Sequence, residues 1–403
     1  MKIMQINSYF NYGSTGKIEK DINDYLVQKG VETIVCYSMD TSFTECNGTI
    51  YLKYGNSFEK YLTAVLMRIT GNRYGYAFFS TQMLKKHIKN TRPDIVHIHC
   101  PNSYDVNLHS LLRYLKKHNY KTVITEHAEF FHTGNCPYAF ECERWIKGCY
   151  KCPRLFYATK SKIFDNTKRN WNKMKKTFNS FTNIVLSPVS PWLGERTAIS
   201  GITKNTRRKV VLNGINTDCF RFYCEDEIND EIKSYFSRKT ILFITSNFYS
   251  DVKGGKYILE LAKIMPEYNF IIICSAEVDC LDLKNVKHIR FIENQYDLAM
   301  FYSLADVTVL ASKKETFSMP VAESLCCGTP VVGFKAGGPE SIAISQYCDF
   351  VEYGDVPALK MALIRKLEDQ NINKTIISEV AKLKYSSKKM AEEYYKLYKE
   401  LYH

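Results

Sequence analysis

Residues 307–334, VTVLASKKETFSMPVAESLCCGTPVVGF, contain the pattern that decides the fold. Apolar strands are predicted at 307–310 and 330–334, and a helix is predicted between them at 319–327. Pro320 fits the first turn of that helix. Two strands joined by a helix form a right-handed crossover in a parallel sheet. The segment therefore predicts one unit of a doubly wound α/β domain.

The same alternation of strands and helices extends over most of the chain. In the first half it predicts elements at 3–6, 17–29, 33–36, 57–69, 80–91, 94–99, 106–118, 122–125, 160–178, 184–186 and 210–212. In the second half it predicts further elements at 240–245, 255–265, 269–274, 287–291 and 295–304. This order predicts the α/β fold class, with two doubly wound, Rossmann-like domains that face each other across a cleft.

The length of 403 residues exceeds what one hydrophobic core serves, so two domains are expected. The turn-forming sequence that begins at Asn213 places their junction between 205 and 225. The predicted domains and segments are 1–210 with a cysteine-rich insert at 132–155, then 211–385, and a closing helix at 386–403. In that helix Met390, Tyr394 and Tyr398 recur at helical spacing, which predicts a packing face.

The composition limits the class of protein. Apolar residues form 45% and charged residues 24% of the chain, which excludes a disordered or fibrous protein. Apolar runs such as 270–274 are strand-sized and far below the roughly 20 residues that span a bilayer. The N-terminus turns polar at Asn7, too early for the apolar region of a signal peptide. A cytoplasmic location is expected, with most of the 14 cysteines reduced.

The net charge of +13 is unevenly distributed. Residues 1–210 contain 32 Lys and Arg against 15 Asp and Glu, whereas the remaining residues are slightly acidic. This asymmetry favours contact of the first half with an anionic partner, either nucleic acid or the inner leaflet of a membrane. A solvated basic surface is the alternative interpretation.

Two carboxylates, Glu315 and Glu323, lie eight residues apart around the predicted strand-to-helix turn. Glu315 precedes the helix and Glu323 lies one turn inside it, so both side chains can approach one ligand. Carboxylates accept hydrogen bonds from sugar hydroxyls, and the free amides at 317–319 suit phosphate oxygens. By spacing alone, two glutamates at a helix entrance are more often solvent-facing capping residues.

This segment resembles the Glu-x7-Glu signature of the family-4 retaining glycosyltransferases, which have the GT-B fold. Further motifs similar to those of that family follow the same order along the chain, at 213–218 with Phe220, at 325–332, at 337–340 and in the tyrosine-rich closing helix. The resemblance covers nearly the whole chain. It implies that 1–210 is the acceptor-side domain, that 211–385 binds the nucleotide sugar, and that 386–403 crosses back to the first domain.

The resemblance also implies roles for residues of the second domain. Glu323 would hold the ribose hydroxyls, and Glu315 would contact the transferred sugar. Lys253 would neutralise the pyrophosphate, whose charge grows as the glycosidic bond breaks. The donor-binding set implied by the resemblance further includes Phe317, Ser318, Met319 and Asn247.

Asn247 is a departure from the family pattern, because many members have an arginine at this position, six residues before the lysine. One positive charge is therefore missing from the expected donor site, and Lys256 or Arg290 are candidates to replace it. Without the surrounding motif, Lys253 would be interpreted as a solvated lysine at a helix entrance.

In the first domain, His127 follows the predicted strand 122–125 and resembles the strand-end histidine that contacts the donor sugar in this family. Ala128 occupies the position of the aspartate that usually follows it. Glu126 and Glu129 flank the histidine but match no catalytic position of the family. A lone histidine is more often structural, so the catalytic interpretation depends on the resemblance.

Gly13 and Gly16 allow a ligand to approach the backbone closely ahead of the helix predicted at 17–29. They do not complete a Walker motif, because its first glycine and its final hydroxyl residue would fall on Asn11 and Ile18. An ATPase of that class is therefore excluded.

The resemblance implies a retaining glycosyltransferase that moves a sugar from a nucleotide sugar to a hydroxyl of a saccharide acceptor, without a metal or other cofactor in catalysis. A lipid-linked acceptor in surface polysaccharide assembly is expected. A sugar-nucleotide epimerase or hydrolase on the same fold is the alternative among enzymes. A basic nucleic-acid-binding protein is the alternative from another class, although the aromatic residues form no known RNA- or DNA-binding motif.

The basic stretch 160–178 is interleaved with Phe164, Trp171 and Phe178. Its helical spacing is compatible with a face that lies on an anionic membrane, and we therefore expect peripheral attachment to the inner face of the cell membrane. A solvated basic helix, packed on its domain by those aromatic residues, is the alternative.

Four cysteines lie within 17 residues of the insert: Cys136, Cys142, Cys149 and Cys152. Cys149 and Cys152 have the close spacing with which two thiolates bind one ion. We predict a structural zinc site with four protein ligands and no open position for catalysis. Two disulfides, or four thiols in a small core, are the alternatives.

Overall fold

The computed structural model describes residues 1–40, 45–101, 104–280 and 282–403. They form two units, of which the first contains Met1–Leu212 and Met390–His403 and the second contains Asn213–Lys389. The chain passes from one unit to the other inside the junction predicted at 205–225.

The first unit alternates strands and helices along the chain. Its elements are β1 (Lys2–Ile6), α1 (Gly13–Gln28), β2 (Glu32–Tyr37), β3 (Thr49–Lys53), α2 (Ser57–Thr70), α3 (Phe78–Thr91), β4 (Ile95–Ile98), α4 (Leu108–Lys117), β5 (Lys121–Glu126), α5 (Phe130–Thr133), α6 (Arg144–Lys147), α7 (Leu155–Thr159), α8 (Thr167–Phe178), β6 (Ile184–Pro188), α9 (Pro191–Ile199) and β7 (Arg207–Arg208).

The strands of the first unit form one parallel sheet in the order β3-β2-β1-β4-β5-β6-β7. Successive strand residues point to opposite faces, so both faces carry apolar side chains and both are covered by helices. One face packs against α1 and the C-terminal helix, which spans Ser387–Tyr402. In that helix Met390, Tyr394 and Tyr398 are at most 3% exposed, which confirms the predicted packing face.

The second unit has the same construction. Its helices and strands are α10 (Asp230–Lys233), β8 (Thr240–Ile244), α11 (Gly255–Ile264), β9 (Asn269–Ile273), β10 (Val286–Ile289), α12 (Gln295–Leu304), β11 (Val307–Leu310), α13 (Met319–Cys326), β12 (Val331–Phe334), α14 (Gly338–Ile342), β13 (Cys348–Val351), α15 (Val356–Leu367) and α16 (Lys374–Tyr385), and the C-terminal helix α17 (Ser387–Tyr402) follows.

The strands of the second unit also form a parallel sheet, in the order β10-β9-β8-β11-β12-β13. The predicted α/β class with two doubly wound sheets is therefore confirmed. In both sheets the strand order reverses once, between β1 and β4 and between β8 and β11. Ligands of open α/β sheets bind beyond the carboxyl ends of the strands at such reversals.

The strand predicted at 210–212 is wrong, because β7 ends at Arg208. Beyond it, Val211 N still donates to Pro188 O at 3.1 Å. In a parallel ladder the next hydrogen bond would run in the opposite direction, from the N–H of Pro188 to a carbonyl of the chain after β7. Proline has no N–H, so this bond cannot form. The ladder between β6 and β7 therefore stops after two residues.

The sequence patterns did not predict the strands β3 and β13 or the helices α5, α6, α7, α9, α10, α14, α15 and α16. Strand β3 lies at the edge of its sheet, and all of its residues are exposed or half-buried. Its sequence therefore lacks the continuous apolar run that marks the inner strands. None of the helices in the described ranges is long and apolar enough to cross a membrane.

Candidate active site

Three loops of the second unit meet at the carboxyl ends of β8, β11 and β12. Lys313 N, after β11, donates to Val252 O in the loop after β8 at 2.7 Å. Glu315, also after β11, pairs as an isolated parallel bridge with Gly337 in the loop after β12. Backbone hydrogen bonds thus hold the predicted site residues together at the point where the strand order reverses.

Gly254 permits the close approach of the first two loops. Its φ is +71°, and a Cβ added to it would lie 2.1 Å from Ala311 O. Any larger residue would both strain the backbone and push the loop after β11 away. This glycine follows Lys253 directly and fixes the position of the lysine.

Lys253 and Glu315 form an ion pair in which Lys253 Nζ donates to Glu315 Oε1 at 2.6 Å. The lysine side chain is 31% exposed and the glutamate side chain 13%. A cation and a carboxylate therefore lie side by side at the sheet edge, where one can bind an anion and the other can accept hydrogen bonds.

Ser318 has an unusual conformation at the entrance of α13. Its φ is +83°, a region that non-glycine residues rarely adopt. Its Oγ is buried and has no hydrogen-bond partner within the described ranges. Strain of this kind clusters at functional sites, and a buried hydroxyl without a partner is ready to bind a ligand. Phe317 is only 2% exposed, so its aromatic ring is buried in the unit.

Glu323 lies one turn inside α13, as predicted, and a tyrosine of α12 positions it. Tyr302 OH donates to Glu323 Oε2 at 3.0 Å, and Tyr302 is completely buried. Burial, and then the negative charge of Glu323, raise the pKa of Tyr302 well above its usual value, so the hydroxyl remains a donor. Sequence reasoning missed Tyr302, because nothing in its local pattern distinguishes it from other apolar positions of α12.

The other candidate donor-site residues of this unit have surroundings of their own. Asn247 is exposed in the loop after β8. Lys256 Nζ lies 4.9 Å from the ring centroid of Tyr257. Arg290 donates to the carboxylate of Glu277. None of these contacts joins the Lys253–Glu315 pair, and the replacement of the missing charge stays a prediction.

In the first unit, His127 directly follows β5 and is half-buried. Burial lowers the pKa of His127 to about 4, so the imidazole is neutral at physiological pH. A neutral imidazole can accept or donate one hydrogen bond without adding charge.

Two histidines that sequence reasoning overlooked lie near His127. The rings of His97 and His99 are 3.9 Å apart, and those of His99 and His127 are 6.2 Å apart. His97 Nδ1 hydrogen-bonds Tyr398 OH at 2.6 Å, and His99 Nε2 hydrogen-bonds Gln5 Oε1 at 3.0 Å. Burial is the main cause that lowers the pKa values of His97 and His99 well below the usual value. Their signal in the sequence is the His-x-His pattern at the end of β4.

Glu126 and Glu129 belong to a buried network around His132. His132 Nδ1 lies 3.3 Å from Glu126 Oε1, and His132 Nε2 lies 3.4 Å from Glu129 Oε1. Arg196 Nε also donates to Glu129 Oε1. Burial disfavours the imidazolium, but both carboxylates outweigh it, so the pKa of His132 is raised. These side chains bind one another, which fits a structural role.

Helix α1 begins at Gly13, earlier than the predicted residue 17. Gly13 has a φ of +63°, and a Cβ there would meet no atom within 4 Å. At Gly16 a Cβ would lie 2.8 Å from Tyr9 O, so this glycine lets the chain's own loop pack on α1. Open space for a ligand is thus found at Gly13, while Gly16 has a packing role.

Cys136, Cys142, Cys149 and Cys152 line one cavity of about 20 Å³ in the insert. All four are free thiols, and burial raises the pKa of Cys149 to about 12. Across the described ranges, no group of three or more His, Cys, Asp or Glu side chains has the arrangement of a metal site. The structural zinc therefore stays a prediction.

Two family models match the chain in succession. The model described as Glycosyltransferase Family 4 matches residues 20–218, and the model described as Glycosyl transferases group 1 matches residues 226–383. The putative colanic acid biosynthesis glycosyl transferase WcaC from Escherichia coli is 21% identical and is aligned over 100% of both chains. N-acetyl-alpha-D-glucosaminyl L-malate synthase from Bacillus anthracis is 24% identical over 44% of this chain and 50% of its own.

Solved structures share the fold over the whole chain. Sucrose-phosphate synthase from Thermosynechococcus elongatus has a TM-score of 0.69 at 16% identity and covers 100% of this chain and 99% of its own. Anabaena HepE in complex with UDP and glucose has a TM-score of 0.66 at 15% identity, covering 99% of this chain and 100% of its own. With two doubly wound parallel sheets and both family models in succession, the chain is a family-4-type glycosyltransferase with the GT-B fold.

Proposed function

We propose that this glycosyltransferase transfers a sugar from a nucleotide sugar to a hydroxyl of a lipid-linked saccharide, with retention of the anomeric configuration, in surface polysaccharide assembly. The observation that carries the proposal is the Lys253–Glu315 pair at 2.6 Å, at the strand-order reversal of the second unit. The name of the similar WcaC supports the polysaccharide context, and the UDP complex of HepE supports a nucleotide donor.

Each residue of the donor site has a proposed task. Glu323, oriented by Tyr302, accepts hydrogen bonds from the ribose hydroxyls. Lys253 neutralises the diphosphate, and Ser318 with the amides at the start of α13 adds hydrogen-bond donors. Glu315 exchanges part of its contact with Lys253 for the hydroxyls of the transferred sugar. Neutral His127 of the first unit can accept or donate one hydrogen bond, and its catalytic role stays a prediction.

The reaction depends on stabilising the leaving group. As the glycosidic bond breaks, negative charge grows on the departing diphosphate, and the preorganised lysine and amides stabilise that charge more than they stabilise the bound donor. The acceptor hydroxyl attacks the face that the diphosphate leaves, and a phosphate oxygen takes its proton. No protein group needs to form a covalent intermediate, and the proposed chemistry uses no metal.

Two variants test the donor-site assignment. Glu323→Ala is expected to weaken nucleotide binding by about 10- to 100-fold, because it loses hydrogen bonds to a charged carboxylate. Glu315→Ala is expected to lower kcat more than it raises KM, because Glu315 contacts the transferred sugar, which is the group that reacts. Glu352→Ala is the control, since its side chain is 74% exposed and pairs only with surface Lys335 in the described ranges.

Near-wild-type kinetics in both variants would overturn the donor site. Product analysis with and without a saccharide acceptor separates transfer from the alternatives: an epimerase or a hydrolase acts without the acceptor. Nuclear magnetic resonance of the new linkage tests retention, and an inverted anomer would reject it.

We also propose that the four insert cysteines bind a structural zinc ion. The support is that all four side chains line one cavity of about 20 Å³, which is large enough for a single small occupant. A bound cation would hold the thiols as thiolates despite their burial, and four protein ligands would leave zinc no catalytic position.

A further inference from the structure

Helix α2 turns an apolar stripe toward solvent. Phe58, Leu62 and Ile69 recur at helical spacing and are 77%, 47% and 49% exposed. The opposite face carries Glu59 and Thr63, which are 8% and 1% exposed. A surface helix of a globular domain normally buries its apolar residues and exposes its charged ones. In α2 only Met67 is buried among the large apolar side chains, next to Glu59 and Thr63, whereas Phe58, Leu62 and Ile69 face solvent and are available to a partner.

Glu59 fixes this orientation through specific hydrogen bonds. Its carboxylate accepts from Phe79 N at 2.6 Å, from Ser80 N at 2.7 Å and from Ser80 Oγ at 2.6 Å. The buried carboxylate therefore joins α2 to the first turn of α3. That turn adds Phe78 and Phe79, which are 61% and 73% exposed. The exposed side chains are thus held by the fold and are not a frayed end.

The loop between α7 and α8 extends the same surface. Ser161 Oγ donates to Ile69 O at 3.2 Å, and Asn166 Nδ2 donates to Thr70 O at 2.6 Å. These bonds hold the loop against the end of α2. Between them, Ile163 and Phe164 are 71% and 54% exposed. Soluble monomers rarely expose this many large apolar side chains together, and such patches mark interaction sites.

We propose that this apolar surface inserts into the headgroup region of an anionic lipid bilayer. Its members are Phe58, Tyr61, Leu62, Ile69, Phe78, Phe79, Ile163 and Phe164. Charge identifies the occupant: residues 54–91 contain six Lys or Arg and one acid, which is the buried Glu59. Arg68 and Lys162 are exposed beside the apolar side chains. Aromatic and aliphatic residues with flanking cations are the composition of interfacial membrane anchors.

Helix α8 does not provide the membrane-inserting face that the sequence of 160–178 suggests. Trp171 and Phe178 are each 4% exposed and lie in the core of the first unit, so α8 exposes cations and Asn172 to solvent and no large apolar side chain. Cations without apolar neighbours attract an anionic surface over about one Debye length but do not insert. We therefore place insertion at α2, α3 and the loop, and assign to α8 the long-range attraction alone.

The test is vesicle flotation of the full-length protein at low salt. Wild type is expected to bind vesicles of phosphatidylcholine with phosphatidylglycerol, and to bind pure phosphatidylcholine vesicles more weakly. The variant with Phe58→Ser, Leu62→Ser and Phe79→Ser is expected to lose at least about tenfold in partition coefficient, since three apolar side chains no longer leave water. Because these side chains are exposed, its thermal midpoint stays near that of wild type.

Two control variants complete the experiment. Met361→Ser with Leu383→Ser removes side chains of the second unit that are 67% and 76% exposed, and vesicle binding is expected to be unchanged. Lys168→Ser with Lys176→Ser removes charge from α8 and is expected to weaken binding less than the apolar variant does.

Three results would overturn the proposal. The first is a wild-type protein that does not float with anionic vesicles. The second is a variant with Phe58→Ser, Leu62→Ser and Phe79→Ser that floats as wild type does. Sedimentation that gives a dimer for wild type and a monomer for the apolar variant, without any vesicle binding, would assign the surface to a second copy of the chain. None of these readouts depends on the sugar donor, so they fail or succeed separately from the proposed function.

Discussion

Replacing Tyr302 with phenylalanine deletes one hydroxyl from the buried side chain that orients Glu323. The hydroxyl donates to Glu323 Oε2 at 3.0 Å, and the ring is 0% exposed, so the substitution changes no packing. Tyr385→Phe is a matched control in the same unit. Its ring is 1% exposed, and its hydroxyl donates to the neutral carbonyl Ile342 O at 2.5 Å.

The two deletions differ in the charge of the acceptor. A hydrogen bond to a charged group contributes about 1.5–3 kcal/mol to stability, against about 0.5–1.5 kcal/mol for a neutral pair. For a unit of this size, 1 kcal/mol corresponds to about 2–4 °C in the unfolding midpoint. Tyr302→Phe is therefore expected to lower the midpoint by about 3–12 °C, and Tyr385→Phe by about 1–6 °C.

Nucleotide binding separates the two variants more clearly. Without the tyrosine donor, the Glu323 carboxylate loses one of the contacts that orient it, and the dissociation constant of the nucleoside diphosphate is expected to rise about fivefold. Tyr385→Phe is expected to leave that constant unchanged. Isothermal titration calorimetry measures both. If Tyr302→Phe matches the control in midpoint and in affinity, the hydroxyl does not position Glu323.

Two further predictions concern the first unit. The pKa of His132 is raised in the fold, so its stabilisation by Glu126 and Glu129 is complete below its unfolded pKa of about 6.5 and is lost as the pH rises through the folded pKa. The free energy of unfolding should therefore fall over that range in wild type and stay flatter in His132→Gln; equal slopes would contradict the network. Elemental analysis of protein purified without chelator should find one zinc per chain, and four freely titrating thiols in the native state would exclude the site.

Local patterns were sufficient for the inner strands of both sheets and for the placement of two candidate donor-site residues. The apolar runs and the proline of 307–334 specify strand, turn and helix through interactions between close neighbours in the sequence. The eight-residue spacing of Glu315 and Glu323 then places one carboxylate before α13 and the other within it. The packing face of the C-terminal helix was also predicted from a local pattern, since Met390, Tyr394 and Tyr398 recur at helical spacing and are buried.

Other features arise only when distant segments meet. Tyr302 contacts Glu323 across 21 residues, and no pattern within α12 signals that contact. Pro188 ends the ladder only because the chain after β7 returns beside β6. Periodicity also shows that α2 has an apolar stripe, yet the buried bonds from Glu59 to the start of α3 turn that stripe outward. The sequence determines which helices and strands have an apolar face. Tertiary packing determines which of these faces are buried and which are exposed to solvent, because burial depends on residues far away in the chain.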